Sequence, residues 1–491
     1  MSSLTLNSTQ SNQASLEDIR FSGIIEILCD ALSGTENFDD YERNVLEICN
    51  EVGRQLLEAR MTNISKQHQG DTILVDGIPH KKHSAGTVTY HSLCGPVQIC
   101  RCTYRQTGVR NGPTVVPLDL VAQLRERSTP ALAYRIALGD AQSPGRQWEE
   151  QLHASHRQPP ARSTLERIAK KIGTSVKNQA PEILPLVREE ERVAGDAVAV
   201  SIGLDRTTIP MEEKLRCCGN VGPQRRRKKP YVRKAPGPVE VNYRMAYVGT
   251  VSLSGPDGEN LHTTRYGCSA DQDPTDILEH MMNDLVHIQC SRKGENLPNI
   301  PMGIIQDGAP EMWNLVQTAL ETALPDERFH KAIDRYHLAE RLAESLKALK
   351  DPFVNRDVRM REWSAALESS DSAIDEIEKF IIRERDRLKK CKSLSAANAE
   401  ILRIHLTYIK NNKHLMRYAT LKKLGLPTGS GATEGACKSL IMIRAKGCGQ
   451  RWHSKGVNSV LTLRWLYQSE RLETFWNKMS EKEMVSIQEA A

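Results

Sequence analysis

Residues 302–313 read MGIIQDGAPEMW. Met302, Gly303, Ile304 and Ile305 make a short apolar run. Gln306, Asp307 and Gly308 break it, and Pro310 suits the first turn of a helix. The stretch therefore predicts a buried strand, a turn and a helix. Asp307 has two readings at the turn. It can be ordinary turn and capping chemistry, since Asp-Gly favours turns and Asp caps helices. It can also be a carboxylate carried to a sheet edge to hold a metal. One aspartate does not decide between them; other acids delivered to equivalent places would.

The flanking sequence supplies those acids. AVAVSIGLDR (197–206) reads as a strand that closes on Asp205. YRMAYVGTVSLS (243–254) and LHTTRYGC (261–268) read as two more strands, joined by the hairpin signal Gly255-Pro256-Asp257-Gly258. DPTDILEHMMNDLVHIQ (273–289) predicts a helix with Asp273 as cap, Pro274 in the first turn and a stripe of Ile277, Leu278, Met281, Met282 and Leu285. PEMWNLVQTAL is the next helix, FHKAID a fifth strand, and RYHLAERLAESLKAL a third helix. The order is β-β-β-α-β-α-β-α, which is that of the RNase H fold. In that fold the first and fourth strands lie side by side, so Asp205 and Asp307, 102 residues apart, are expected to meet. Glu434, after the loop Gly429-Ser430-Gly431, is the expected third acid.

Such a trio suits phosphodiester chemistry. Cutting a phosphodiester needs a deprotonated nucleophile and charge relief on the leaving oxygen, and two Mg²⁺ (or Mn²⁺) ions roughly 3.5–4 Å apart supply both. Mg²⁺ takes hard oxygen ligands and keeps several waters, so a few carboxylates suffice. Without cations the acids would repel one another. Against this, Asp205 can be a strand-end turn residue, Asp307 a helix cap, and Glu434 a favourable charge at a helix N-terminus. Asp334, after the fifth strand, is a further candidate ligand or a cap. His337 and Glu340 share a helix face, as a metal pair or a surface pair.

The N-terminal part reads differently. Residues 1–16 form a polar tail. In 17–60, Phe38, Tyr41, Val45, Leu46, Cys49, Val52 and Leu56 follow helical spacing. GTVTYHS and PVQICRCTYR flank Leu-Cys-Gly-Pro and predict a hairpin. Its Cys94, Cys100 and Cys102 lack paired C-x2-C spacing, so zinc is not expected there. Residues 116–176 read as helical. In ARSTLERIAKKIG, Ser163 and Glu166 have capping-box spacing and Gly173 can stop the helix. Arg167, Lys170 and Lys171 lie on its polar face, as a helix-turn-helix recognition helix or as an ordinary charged surface. The expected divisions are 17–110, a possible DNA-binding 111–190, a catalytic core 195–349, a helical insertion 350–420, and 421–491 completing the core.

Composition sets bounds. The 491 residues are 39% hydrophobic and 26% charged, which suits a multidomain globular chain. No apolar run reaches the roughly 18 residues that span a bilayer. No secretory signal is read at the start, and the twelve scattered cysteines suit reduced thiols, so a cytoplasmic, nucleoid-associated setting is expected. Net charge is +6, but its distribution says more. Residues 225–234 hold Arg225, Arg226, Arg227, Lys228, Lys229, Arg233 and Lys234 with no acid, as phosphate contacts or a solvated loop. No G-x4-G-K-[ST] is present, which argues against a P-loop NTPase.

Taken together, YRMAYVGT, IIQDGAPEMWNLV, AIDRYHLAERL and PTGSGATEGACKSLIMIRAKGCGQRWHSKGVNSVLTLRWL resemble bacterial insertion-sequence transposases of the DDE type, in particular the ISKra-type family. The Gly-Ser-Gly-x-x-Glu-x-x-Cys-Lys run followed by Arg-Trp is the most specific part. The resemblance implies a mixed α/β (α+β) chain with an RNase H-like catalytic domain interrupted by an all-helical insertion. It implies catalytic acids at Asp205, Asp307 and Glu434, two divalent metals and DNA strand transfer. It also implies double-stranded DNA as partner, through terminal inverted repeats and target, and a homodimer or larger assembly on that DNA. On this reading Arg444, Lys446 and Arg451 hold DNA backbone. Lys438 reaches a phosphate or pairs with Glu434, and Trp452 wedges a base or packs in the core.

Overall fold

The computed structural model describes residues 29–30, 32, 34, 37–214, 239–269, 272–295, 297–325, 327–349, 355–447 and 449–489. The tail 1–16 and the basic loop with Arg225–Arg227, Lys228, Lys229, Arg233 and Lys234 lie outside these residues. The described residues are mixed α/β and include two five-stranded sheets. No helix among the described residues is long and apolar enough to cross a membrane.

The N-terminal sheet forms from β1 (Thr72–Val75), β2 (Ile78–Ser92), β3 (Gly95–Gln106) and β4 (Thr114–Val115). β2 and β3 make the expected hairpin, closing at Ser92↔Gly95. Cys100 is exposed and Cys102 buried on β3, while Cys94 sits in the turn. α1 (Phe38–Lys66) lies on this sheet, with Met61 and Ile64 buried against Tyr90, Val97 and Ile99. A strand that sequence reading missed, β10 (Ile487–Glu489), pairs with β1 and ties the C-terminal end to this sheet.

The second sheet has the order β7-β6-β5-β8-β9. β5 (Ala199–Lys214), β6 (Val239–Ser254) and β7 (Asn260–Ser269) are antiparallel neighbours. β8 (Met302–Gln306) runs parallel to β5 through Val200↔Met302 and Ile202↔Ile304, and β9 (Phe329–Ile333) runs parallel to β8. All five residues of β8 are buried, which explains its unbroken apolar run. One expectation needs correcting. Asp205 does not end its strand, because β5 continues in register with β6 to Lys214↔Val239. Past Ile202 β5 leaves β8, while β6 stays paired with β7 out to Ala246↔Ser269, and the far end of β5 bonds Trp452 through Pro210 and Glu212.

After α2 (Pro117–Val121), the helices α3 (Pro130–Gln142), α4 (Gly145–Ala154) and α5 (Arg162–Glu190) have no separate core. Leu132, Trp148, Leu165 and Val187 join one cluster with sheet residues Val200 and Val248 and with the C-terminal helices. α5 also departs from expectation. Its cap is Ala161, without a side-chain bond, so no Ser163–Glu166 capping box forms. It runs through Gly173 to Glu190, because that glycine serves a close approach instead. A Cβ there would lie 2.8 Å from the Ser459 carbonyl oxygen on α14 (Ser454–Gln468). One face of this 29-residue helix is buried along its length, from Leu165 to Val187, while Arg167, Lys170 and Lys171 are exposed on the other.

α6 (Thr275–Gly294) and α7 (Pro310–Ala323) pack into the same core, and Asp273 Oδ1 accepts the Thr275 N–H at 3.0 Å as expected. α8 (Arg335–Leu349), α9 (Arg356–Ser369), α10 (Ala373–Lys390), α11 (Ala396–Asn412) and α12 (Tyr418–Lys423) form a second cluster. It includes Ile305, Ala332 and Ile333, so the inserted helices are anchored on β8 and β9. α13 (Gly431–Ala436) then returns the chain to the sheet, and α14 and α15 (Leu472–Lys482) complete the first core.

Candidate functional site

Where β5 and β8 part company, a cavity of about 330 Å³ opens. Its walls include Asp205, Asp307, His337, Glu434, Cys437 and Lys438. The three acids singled out from sequence thus reach one cavity, each on a different element. Asp205 rides on β5 just past its last pairing with β8, at Ile202. Its Oδ1 accepts the Arg206 N–H at 2.7 Å and its Oδ2 accepts the Cys437 thiol at 3.3 Å. Asp307 follows β8, and its Oδ1 accepts the Ala309 N–H at 2.9 Å, so it does serve the turn. Gly308 sits at φ +91°, a conformation that permits the tight exit from the strand.

Glu434 comes from the opposite direction. Ser430 precedes α13 without a side-chain capping bond, and Glu434 lies in the first turn. The helix can sit this low over the sheet because Gly203 has no side chain. A Cβ at that position would lie 2.2 Å from Thr433 Oγ1. Thr433 Oγ1 instead meets Thr250 Oγ1 at 2.7 Å, locking α13 onto β6. From Cys437 to Met442 the helix widens into a π-helical turn, a feature that concentrates at functional sites.

Asp334 is 1% exposed and works as a staple. Its Oδ1 accepts the Tyr336 N–H at 2.7 Å, and its Oδ2 accepts the Ser430 N–H at 3.1 Å as well as the Ser430 hydroxyl. It therefore ties the start of α8 to the glycine loop that delivers Glu434. His337 Nε2 stands 3.9 Å from Glu434 Oε1, and its Nδ1 lies 3.4 Å from Glu340. Asp334, His337 and Glu434 offer ligand atoms within 4.8 Å of one another and could hold a metal ion. Asp205 and Asp307 are outside this close set although they share the cavity.

The donor chemistry fits a hard cation: several carboxylate oxygens and one imidazole face a common space. The Gln306 amide on the same wall is 1% exposed, and neither its oxygen nor its nitrogen has a partner among the described residues. Such an orphaned amide marks a polar site that awaits a ligand. Burial, reinforced by the Asp205 charge, pushes the Cys437 thiol well above its ordinary range, so it stays protonated and donates to Asp205.

The cationic candidates divide. Lys438 is exposed and stands 3.7 Å from Glu434 Oε2, the pairing of residues one turn apart. Lys446 Nζ bonds Thr207 Oγ1 at 2.6 Å beside the cavity, and Arg451 is exposed. Arg444 corrects the expectation of a backbone contact. It is 6% exposed, ion-paired with Asp140 at 3.0 Å and stacked over Trp452, so its role is in packing. Trp452 packs on the core and donates to the Ala445 carbonyl. On α5, Lys170 is exposed, while Arg167 and Lys171 both lean on Glu126, at 3.9 and 2.6 Å.

Sequence reading missed Thr433, Cys437 and Gln306. None stands in a local pattern that marks a role: Thr433 acquires one from the close approach of α13 to Gly203, Cys437 from Asp205, and Gln306 from its burial on the cavity wall. No family model matches the chain, and no curated protein matches it.

Proposed function

We propose that the chain is a DDE-type DNA transposase whose second sheet belongs to an RNase H-like catalytic domain. The observation that carries this reading is the parallel pairing of β5 with β8, which supports a shared cavity for Asp205, Asp307 and Glu434. The strand order and the helical segment between Asp307 and Glu434 support it too, as does the transposase-like sequence around Glu434. Asp205, Asp307 and Glu434 would hold Mg²⁺ or Mn²⁺, with Asp334 fixing the loop behind them. When bound, such ions supply Lewis-acid charge relief and an activated nucleophile for in-line displacement at phosphorus.

The chain's own residues do the rest. The Cys437 thiol and the Arg206 amide fix the rotamer of Asp205. The Ala309 amide fixes Asp307. Lys438 on the wall and Lys446 beside it attract DNA phosphates, and the exposed Arg451, which lines a separate cavity with Lys170, extends the phosphate contacts. Double-stranded DNA, as inverted repeats of an insertion sequence and as target, is the proposed substrate.

A second reading has its own observation. The compact Asp334–His337–Glu434 set favours a single ion in a nuclease without strand transfer. One assay separates the two. Element ends with flanking DNA are incubated with Mg²⁺ or Mn²⁺ and target plasmid. Strand transfer gives joined products, lost with Asp307→Asn. Nicking alone, lost with His337→Ala but kept with Asp307→Asn, supports the single-ion nuclease. Equal cutting by wild type and all variants removes both.

A further inference from the structure

The apolar spacing along α1 predicts a buried face, yet much of that face points to solvent. Val45, Cys49, Val52, Leu56 and Ala59 recur at alternating intervals of four and three. Leu56 is 67% exposed and Val52 45%; Phe38, four residues before the Glu42 that interrupts the stripe, is 77% exposed. Cys49 and Ala59 are exposed as well, and Val45 is half-covered. The helix is held to its own sheet by other residues, among them Met61 and Ile64. The unbroken apolar part of the seam, Val45 to Ala59, covers about two heptads and is flanked at the same spacing by Glu42 and Asn63.

Charge along the helix says which partner fits. The first half carries Asp39, Asp40, Glu42, Glu47 and Glu51 against one base, Arg43. The second half carries Arg54, Arg60 and Lys66 against one acid, Glu58. A second copy laid antiparallel sets each acidic half beside a basic half, whereas a parallel copy would oppose like charges. We propose that α1 is a homodimerisation helix that pairs antiparallel with α1 of a second copy, through a seam of Val45, Cys49, Val52 and Leu56. In that pairing Val45 packs on Leu56 of the other copy and Cys49 on its Val52. This inference rests on no part of the strand-transfer reading and concerns the protein without DNA.

Light scattering on the full chain without DNA tests it. Twice the monomer mass is expected at about 10 µM, a concentration at which a micromolar pair is populated. Leu56→Asp, a surface change that leaves the circular dichroism spectrum at room temperature unaltered, should give the monomer mass. Orientation is read by cross-linking in a Cys49→Ser background. A mixture of Val45→Cys and Leu56→Cys chains should join through a short bismaleimide, whereas Val45→Cys alone should not. Three results overturn the proposal. They are a monomer throughout, a dimer indifferent to Leu56→Asp, and efficient Val45→Cys self-joining, which marks a parallel pair. A dimer that appears only after deletion of residues 1–28 also overturns it, because those residues would then be what covers the face.

Discussion

Two groups of carboxylates sit in the sheet-centred domain and are treated in opposite ways. Asp284 is 3% exposed and surrounded by cations. It accepts from Arg188 Nε at 2.7 Å, from Tyr266 Oη at 2.7 Å and from Arg471 at 3.1 and 3.2 Å, while Glu191 takes a fork from Arg471 at 2.5 and 2.6 Å. Burial alone would raise the Asp284 pKa, but Arg471 and Arg188 more than offset it and hold the group ionised. At the cavity, Asp205, Asp307 and Asp334 accept from backbone amides, a thiol and a hydroxyl, and Glu434 has His337 and Lys438 only at 3.9 and 3.7 Å. Arg206, the nearest guanidinium on that wall, pairs away with Glu311. The first group is neutralised by the protein itself. The second keeps an unbalanced negative charge, which is what a site for an added cation requires.

The contrast breaks most clearly at Asp284. Asp284→Ala leaves Arg188 and Arg471 buried without their shared counter-ion. A loss of roughly 3–5 kcal/mol of unfolding free energy is expected, as for other buried pairs stripped of one partner. Urea unfolding followed by circular dichroism measures it. A loss under about 1 kcal/mol would show that Glu191 and water compensate, and that the buried network matters little.

Gly203→Ala probes the cavity side. The new methyl meets Thr433 Oγ1 and breaks its contact with Thr250, so α13 must lift and carry Glu434 with it. The expected cost is about 1–3 kcal/mol, with a larger proportional fall in the DNA strand cleavage proposed above than in stability. Gly258→Ala, at a hairpin turn with open space around it, gives the control in which strain at φ +78° lowers stability alone.

A third measurement follows acid. Burial and then the Arg188 charge lower His280 to a pKa of about 4. The imidazole is therefore neutral in the fold but takes a proton near pH 6.5 when unfolded. Its contribution is complete above about pH 6.5 and is lost as pH falls toward 4. About 1–2 kcal/mol should disappear between pH 7 and pH 5, and His280→Gln should flatten that slope. Asp284, whose pKa is lowered, acts in the same direction but below its unfolded value, so the two windows separate. An unchanged slope in the variant would assign the acid sensitivity elsewhere.

The fold was most legible where burial is two-sided and periodicity is strong. The apolar run 302–305, the hairpin glycines and the helix caps around Asp273 all do what their spacing implies, and the parallel pairing of β5 with β8 followed from element order. Boundaries set by long-range contact were not legible. Gly173 looked like a stop and is a contact point with Ser459; Asp205 looked like a strand end and sits mid-strand, because β6 happens to extend with it. Asp307 and Glu434 could be named from sequence because a strand end and a glycine loop leave local marks, whereas Asp205 was named for a strand end that β5 does not have. The Cys437, Thr433 and Gln306 shell could not, since thiols, hydroxyls and amides acquire their roles only from what the fold sets beside them. Arg444 shows the converse: a base in a promising run, buried by a distant Asp140.

The smallest expected effect carries the sign that separates the two carboxylate groups. Replacing Asp307 by Asn removes one negative charge from a cavity that already holds Asp205 and Glu434, while keeping the shape and the acceptor for the Ala309 amide. In metal-free buffer this variant should be more stable than wild type, by about 0.5–1 kcal/mol, or roughly 0.5–1 °C in melting temperature for a chain of this size. Adding Mg²⁺ or Mn²⁺ should then raise the wild-type melting temperature and leave the variant nearly unmoved, since a ligand stabilises only the state that binds it. The order of the two proteins would invert with metal. If Asp307→Asn is instead destabilised as Asp284→Ala is, the carboxylate is a structural cap whose charge the fold needs. The cavity would then belong with the neutralised group after all.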